Sequence, residues 1–382
     1  MSARKHILHL HSTFAPGGKE RRAVALINTF GKAVSHSIVS AVPGEMGARD
    51  LIDPGLSVHF PFGFPPLAGP VRVRRLQLMA RAMRGFDLIL TYNWGAMDAV
   101  MAHALFGPGE RLAPLIHHED GFNADEAGGL KWQRNWYRRI ALARARALVV
   151  PSRLLESIAL GPWAQPPARL HRIPNGIDTA RYAAARATVR PDALPRVIKR
   201  PGERWLGTLA GLRPVKNLPR LVRAFAAMGP EWNLVILGEG PERAAIRDAA
   251  MALELSHRVH LPGHVPDPAA AIGLFDLFAL SSDSEQAPLS VIEAMAAGLA
   301  VASPAVGDVA DMVSPENAEW ITPAGDEAAL GAALARLGAD QALRDRLGAA
   351  NRARAVAEFD LAVMAGRYGA LYGAAMGLDS FP

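Results

Sequence analysis

The sequence predicts an α/β protein built as two doubly wound, Rossmann-like domains facing across a cleft. Three observations carry that prediction. Short apolar strands alternate with amphipathic helices through residues 1–160, the pattern of βαβ units around a parallel sheet. The alternation stops at a segment holding Pro162, Pro166, Pro167, Pro174, Pro191, Pro195 and Pro201, then restarts at Trp205. The chain has 382 residues, about two to three times a typical domain.

Taken in order, His6–His11 reads as the first strand and Ser12–Gly18 as its turn. A helical pattern runs from Lys19 to Lys32, with Ala23, Leu26, Ile27 and Phe30 on one face. Strands are expected at His36–Ala41, Asp87–Thr91, Ala113–His117 and Ala147–Val150. Helices near Val71–Arg84, Ala96–Leu105, Leu130–Ala145 and Ser152–Leu160 separate most of them, which implies right-handed crossovers. Residues 161–203 carry too many prolines for regular elements and read as a connector. Beyond it, strands at Trp205–Ala210, Asn233–Leu237, Arg258–Leu261, Leu277–Leu280 and Ala300–Ser303 alternate with helices at Asn217–Met228, Pro241–Leu253 and Leu289–Ala297. Helices near Asp326–Leu337 and Gln341–Glu358 follow. A last amphipathic stretch, Leu361–Met376, puts Met364, Tyr368, Leu371 and Tyr372 on one side. The expected domains are 1–172 and 173–358, with 173–203 the junction and 359–382 a helix packing back on the first domain.

Composition narrows the function. Half the residues are apolar and a fifth charged, which excludes disordered and fibrous classes. There is no cysteine, hence no disulfide framework, thiolate metal site or cysteine nucleophile. No apolar run is long enough to span a membrane and no signal peptide is apparent, so a cytoplasmic enzyme is expected. Residues 1–175 hold 22 Lys/Arg against 12 Asp/Glu, whereas 176–382 hold 20 against 24. The basic half should favour an anionic surface or substrate.

The strongest motif is Ser284-Glu285-Gln286-Ala287-Pro288-Leu289-Ser290-Val291-Ile292-Glu293-Ala294-Met295-Ala296-Ala297-Gly298. Two glutamates eight positions apart flank a loop that becomes a helix. The helix N-terminus, around Gln286, Ala287 and Leu289, offers amides to a phosphate. Carboxylates on either side suit a nucleotide sugar, one taking sugar hydroxyls and the other ribose. This stretch resembles the E-x7-E signature of the retaining glycosyltransferases of family 4. Three further segments agree with it: Ile173-Pro174-Asn175-Gly176-Ile177-Asp178 at the domain junction, Leu212-Arg213-Pro214-Val215-Lys216-Asn217 and Leu237-Gly238-Glu239-Gly240-Pro241. Ala15-Pro16-Gly17-Gly18-Lys19-Glu20 resembles the family's first Gly-rich loop. The implied fold is GT-B.

The resemblance implies roles residue by residue. Lys216 would neutralise the donor diphosphate and its leaving group. The family's arginine, five positions earlier, is replaced by Gly211; Arg213 is the candidate to supply that charge. Glu285 would hold the sugar and Glu293 the ribose. Gly238 and Gly240 would let backbone approach the nucleotide, and Gly17 and Gly18 would present amides to diphosphate or acceptor. In His117-His118-Glu119-Asp120, His117 fits the family's histidine near the transferred sugar. His118, Glu119 and Asp120 are acceptor-side candidates; neighbours on a strand point opposite ways, so both histidines should not face one site. His9 and His11 share a face of the first strand and read as core or edge residues.

No metal and no cofactor beyond the nucleotide-sugar donor are expected, with a UDP-sugar favoured over a GDP-sugar. The partners expected are that donor and a lipid-linked or polysaccharide acceptor in surface-glycan assembly, and not nucleic acid. Two basic helices support peripheral contact with an anionic membrane: Arg72, Arg74, Arg75, Arg81 and Arg84 in one, and Lys131, Arg134, Arg138, Arg139, Arg144 and Arg146 with Trp132, Trp136 and Tyr137 in the other. A sugar-nucleotide epimerase of the same fold and a non-catalytic nucleotide-sugar-binding partner are the alternatives.

Overall fold

A computed structural model describes residues 4–42, 44–121, 126, 129–188, 194–195, 197–265 and 267–381. The chain divides into two compact units, residues 1–175 with 364–382, and residues 176–363.

The first unit contains β1 (Lys5–His11), α1 (Gly18–Phe30), β2 (Val34–Ser40), β3 (Val58–His59), α2 (Val73–Ala82), β4 (Leu88–Tyr92), α3 (Met97–Glu110), β5 (Leu115–His118), α4 (Trp132–Ala141), β6 (Ala147–Val150), α5 (Arg153–Leu160) and β7 (Leu170–Arg172). Its seven strands are parallel, in the order β3-β2-β1-β4-β5-β6-β7. Strand alternation assigns the two faces. Leu8 and Leu10, with Ile89 and Leu115 in register beside them, pack under helices α2 to α5. Ile7, His9 and Tyr92 on the opposite face meet α1. Three helices are tied by polar groups: Asp98 of α3 pairs with Arg75 of α2 and accepts from Tyr137 of α4 at 2.7 Å.

The second unit begins with α6 (Thr179–Ala187), β8 (Arg204–Leu209), α7 (Leu218–Phe225), β9 (Trp232–Leu237), α8 (Arg243–Ala252), β10 (Val259–Gly263) and α9 (Pro268–Ile272). It continues through β11 (Leu277–Ala279), α10 (Leu289–Ala296), β12 (Val301–Pro304), α11 (Val309–Met312), β13 (Ile321–Thr322), α12 (Glu327–Ala339) and α13 (Gln341–Glu358). The strand order is β10-β9-β8-β11-β12-β13, again parallel. One core lies between the sheet and α6, α9 and α10; a second lies under α7, α8, α12 and α13. The last helix, α14 (Leu361–Met376), buries Met364, Tyr368 and Tyr372, and from Met364 onward it groups with the first unit.

The connector departs from expectation. Residues 161–203 hold a strand, β7, and a nine-residue helix, α6. The prolines crowd 162–174 and 191–201, and the stretch between them is alanine-rich and proline-free. Asp178 starts the helix by accepting from the Arg181 amide at 3.0 Å, which satisfies one orphan donor of the first turn. Local composition outweighs the average over the segment. Pro191 lies outside the described residues.

Candidate active site

In a doubly wound sheet, ligands gather beyond the carboxyl ends of the strands where the order reverses. In the second unit that point falls between β8 and β11. The loop after β8 carries Gly211, Arg213 and Lys216, and the loop after β11 carries Glu285. The structure brings these two loops together. Lys216 Nζ donates to Glu285 Oε1 at 2.5 Å, and Ser282 Oγ donates to the same oxygen at 2.7 Å. The Ser281 hydroxyl donates to the Lys216 carbonyl at 3.0 Å, and Arg220 pairs with Asp283 at 2.7 Å. Lysine and glutamate are both mostly shielded from water, which strengthens their attraction relative to an exposed pair.

Arg213 is exposed and has no side-chain hydrogen bond or ion pair among the described residues. Its Nε lies 3.6 Å from the point where a Cβ on Gly211 would sit. The Arg213 side chain thus lies beside Gly211.

Gly238 has φ +137°, and a Cβ there would stand 1.9 Å from the Ala210 carbonyl oxygen. The Leu212 amide donates to the Glu239 carbonyl and the Glu242 amide to the Leu212 carbonyl, each at 3.0 Å. Gly238 and Gly240 let the turn after β9 lock onto the loop bearing Arg213 and Lys216.

Helix α10 starts at Leu289 behind Pro288. The Val291 amide donates to the Pro288 carbonyl at 3.1 Å, while the amides of Leu289 and Ser290 precede any acceptor within the helix. The Gln286 carbonyl accepts from the Asp308 amide at 2.9 Å, while Ala287 and Leu289 pack partly on the core. Glu293, one turn on, is 8% exposed and accepts from Tyr182 Oη at 2.8 Å. Burial and then the Glu293 charge push the Tyr182 phenol well above its ordinary range. Tyr182 sits on α6, inside the stretch read as connector, and no motif pointed to it.

In the first unit the strand order reverses between β1 and β4. Gly17 caps α1 and Gly18 opens it. A Cβ on Gly17 would come within 2.7 Å of Glu20, whose buried carboxylate accepts from Thr13 Oγ1 at 3.0 Å and pairs with Lys19. His117 and His118 point to opposite faces. His117 is fully buried; its Nδ1 is hydrogen-bonded to Thr91 Oγ1 at 2.8 Å. Among the described residues its Nε2 has no hydrogen-bond partner, and it lies 3.7 Å from Glu119 Oε2. His118 is engaged at both nitrogens, by the Thr91 carbonyl at 3.2 Å and Tyr372 Oη at 3.0 Å. Burial first, then the Arg22 charge, holds it well below the usual imidazole range.

Both acidic candidates are ion-paired. Glu119 accepts from Arg138 Nε at 3.3 Å, and Arg138 itself lies between the rings of Trp94 and Trp163. Asp120 takes both terminal nitrogens of Arg22, Nη2 at 2.9 Å. Burial opposes the charge on Arg22, but Asp120, together with Tyr368 and Tyr92, raises the guanidinium's pKa. Arg22 is nearly buried, also reaches Asn175 Oδ1 at 3.2 Å and lies over Tyr368. No motif in the sequence singles out Arg22. Among the described residues, no group of three or more histidine, aspartate or glutamate side chains is placed to hold a metal ion.

Two family descriptions match successive parts of the chain: "Glycosyltransferase Family 4" over residues 16–181 and "Glycosyl transferases group 1" over 191–354. The chain belongs to the family 4 type of glycosyltransferases. This glycosyltransferase is 28% identical over 294 residues to a GDP-mannose-dependent alpha-mannosyltransferase of Mycobacterium tuberculosis, covering 74% of this chain and 73% of that one. It is 30% identical over 250 residues to a 2-deoxystreptamine N-acetyl-D-glucosaminyltransferase of Streptomyces fradiae, 61% of this chain and 54% of that one. Anabaena HepE, crystallised with UDP, superposes with a TM-score of 0.80 at 17% identity over 97% of this chain and 100% of that one. That likeness is one of fold, GT-B.

Proposed function

We propose that this glycosyltransferase takes a hexose from a nucleoside-diphosphate donor and transfers it, with retention at the anomeric carbon, to a lipid-linked or polysaccharide acceptor in surface-glycan assembly at the cytoplasmic side of the membrane. The observation that carries the reading is the Lys216–Glu285 pair, held by two stitched loops beside the start of α10. A cation placed there stabilises the diphosphate as it leaves, and the amides opening α10 take phosphate oxygens. Glu285 then accepts from the sugar hydroxyls and Glu293 from the ribose. Arg213, lying beside Gly211, supplies the second positive charge to the leaving diphosphate.

In the first unit, the reading gives the transferred sugar to His117, whose Nε2 makes no hydrogen bond among the described residues and has Glu119 Oε2 at 3.7 Å. Gly17 and Gly18 offer amides at the opening of α1. Glu119, Asp120 and His118 orient that side through the ion pairs and ring contacts described. The acceptor hydroxyl loses its proton to a diphosphate oxygen as the new bond forms on the face the leaving group vacates. A UDP-sugar is proposed ahead of a GDP-sugar, on the strength of the UDP in HepE; the mycobacterial relative named for GDP-mannose is the contrary indication.

A thermal-shift series with UDP, GDP and their sugars tests the donor, because a ligand of the folded state alone raises the unfolding midpoint. Stabilisation by a diphosphate and its sugar, followed by transfer to a glycolipid acceptor with the anomeric configuration kept, is the expected result. Conversion of the donor without acceptor, or no response to any nucleotide, would overturn it.

A further inference from the structure

Helix α4 has two opposite sides that differ in kind. Its inner side is fixed by Tyr137, bonded to Asp98, and by Arg138, which is fully buried. Its outer side carries Trp132, Trp136 and Ile140, at four-residue spacing and 67%, 55% and 54% exposed. Two tryptophans more than half in water are costly unless something covers them. The Arg139 guanidinium lies 4.8 Å from the Trp136 ring centroid, and exposed Arg144 and Arg146 follow the helix. Residues 131–146 contain six Lys/Arg and no Asp or Glu; residues 71–84, on α2 in the same helical layer, contain five and none. The two acids of α3 are both in ion pairs, Asp98 with Arg75 and Glu110 with Arg81 and Arg84. Leu78 of α2 and Leu105 of α3 are exposed as well.

We propose that the outer face of α4 is a membrane-docking surface, with Trp132, Trp136 and Ile140 entering the headgroup region of an anionic bilayer and Arg139 and Arg144 meeting its phosphates. Tryptophan prefers that interface because its ring is apolar and its N–H polar. Arginines beside it can bury their stems while their heads stay in the headgroups. Charge complementarity chooses the partner: a face with arginine and no unengaged carboxylate on its helices suits an anionic sheet, and the flat apolar stripe suits lipid better than nucleic acid. The surface needs no particular donor, so it stands or falls apart from the reaction proposed above.

The test is sedimentation of the full chain with phosphatidylcholine vesicles, with and without phosphatidylglycerol. Binding to the anionic vesicles only, weakened by salt, with a blue shift of tryptophan emission, is expected. A Trp132→Ala, Trp136→Ala double variant should lose at least about tenfold in partitioning, and Trp→Phe at both sites should restore most of it. Arg139→Ala and Arg144→Ala should each cost about fivefold. Because all four side chains lie at the surface, unfolding midpoints should stay at the parental value, and a Met251→Ala variant in the second unit, also at an exposed apolar residue, should bind normally. Equal binding to neutral vesicles, parental binding by the folded double tryptophan variant, or retention of RNA with vesicles ignored would each overturn the proposal.

Discussion

Lys216 donates to Glu285 at 2.5 Å, and this bond joins the loops that follow the two strands at the reversal of the sheet. Each residue comes from a different motif, 69 positions apart. The parallel order β9-β8-β11-β12 makes them neighbours. The same bond sets the first prediction. Lys216→Ala should lower the transfer rate on the order of a hundredfold to a thousandfold, the usual loss for one preorganised donor to a developing negative charge. Glu285→Gln should lower it too. Nucleoside diphosphate release measures both, and a near-parental rate in either would sink the assignment.

Arg213→Ala should cut turnover by on the order of tenfold or more with little change in stability, because the side chain is exposed. Gly211→Arg in that background should restore part of the rate if the two positions serve one charge. Steady-state kinetics on the pair of variants decides the matter.

Tyr182→Phe removes the hydroxyl that donates to buried Glu293. The cost is about 1–3 kcal/mol in urea unfolding, the range for a buried acceptor losing a partner. A rise in donor KM should accompany it. An unchanged denaturation midpoint would show that this bond contributes nothing.

Gly238→Ala should be severely destabilising, since its Cβ would stand 1.9 Å from a carbonyl oxygen at a left-handed φ. Gly211→Ala meets nothing closer than 3.6 Å and should fold normally. Thermal unfolding of the two variants side by side makes the comparison.

Stability should fall on acidification. Burial, with a smaller push from His6, lowers His36 from 6.5 to about 4, and its Nδ1 is hydrogen-bonded to His9 at 2.9 Å. The unfolded chain therefore takes up this proton near 6.5 while the folded chain does not until about 4. Stability from this group is full above 6.5, declines through the window, and the loss is complete near 4. His9, His11 and His118, all lowered by burial, act in the same direction. His36→Gln should flatten part of a midpoint-against-pH profile; an unaltered slope would count against it.

Much of this was legible along the chain. Alternating strands and helices announced parallel sheets because a buried strand must be apolar and its crossover helix amphipathic. The E-x7-E stretch, Lys216 and the glycine turns lie within single loops or first turns, where spacing alone keeps residue types together. The helix α6 was hidden by prolines on either side of it, and Tyr182 with it. Arg22 was hidden too, since its partners Asp120 and Asn175 come from strand ends far away in sequence.

By itself, then, the order of residues determined the fold class, which follows from local periodicity, and the family, which follows from the resemblance of short motifs. Tertiary structure alone decided that Lys216 pairs with Glu285, that Glu293 is buried against Tyr182, that Glu119 and Asp120 are each committed to an arginine, and which tryptophans of α4 face outward. Those outcomes depend on sheet order and burial, which bring together charges that have no reason to be near one another until the chain has folded.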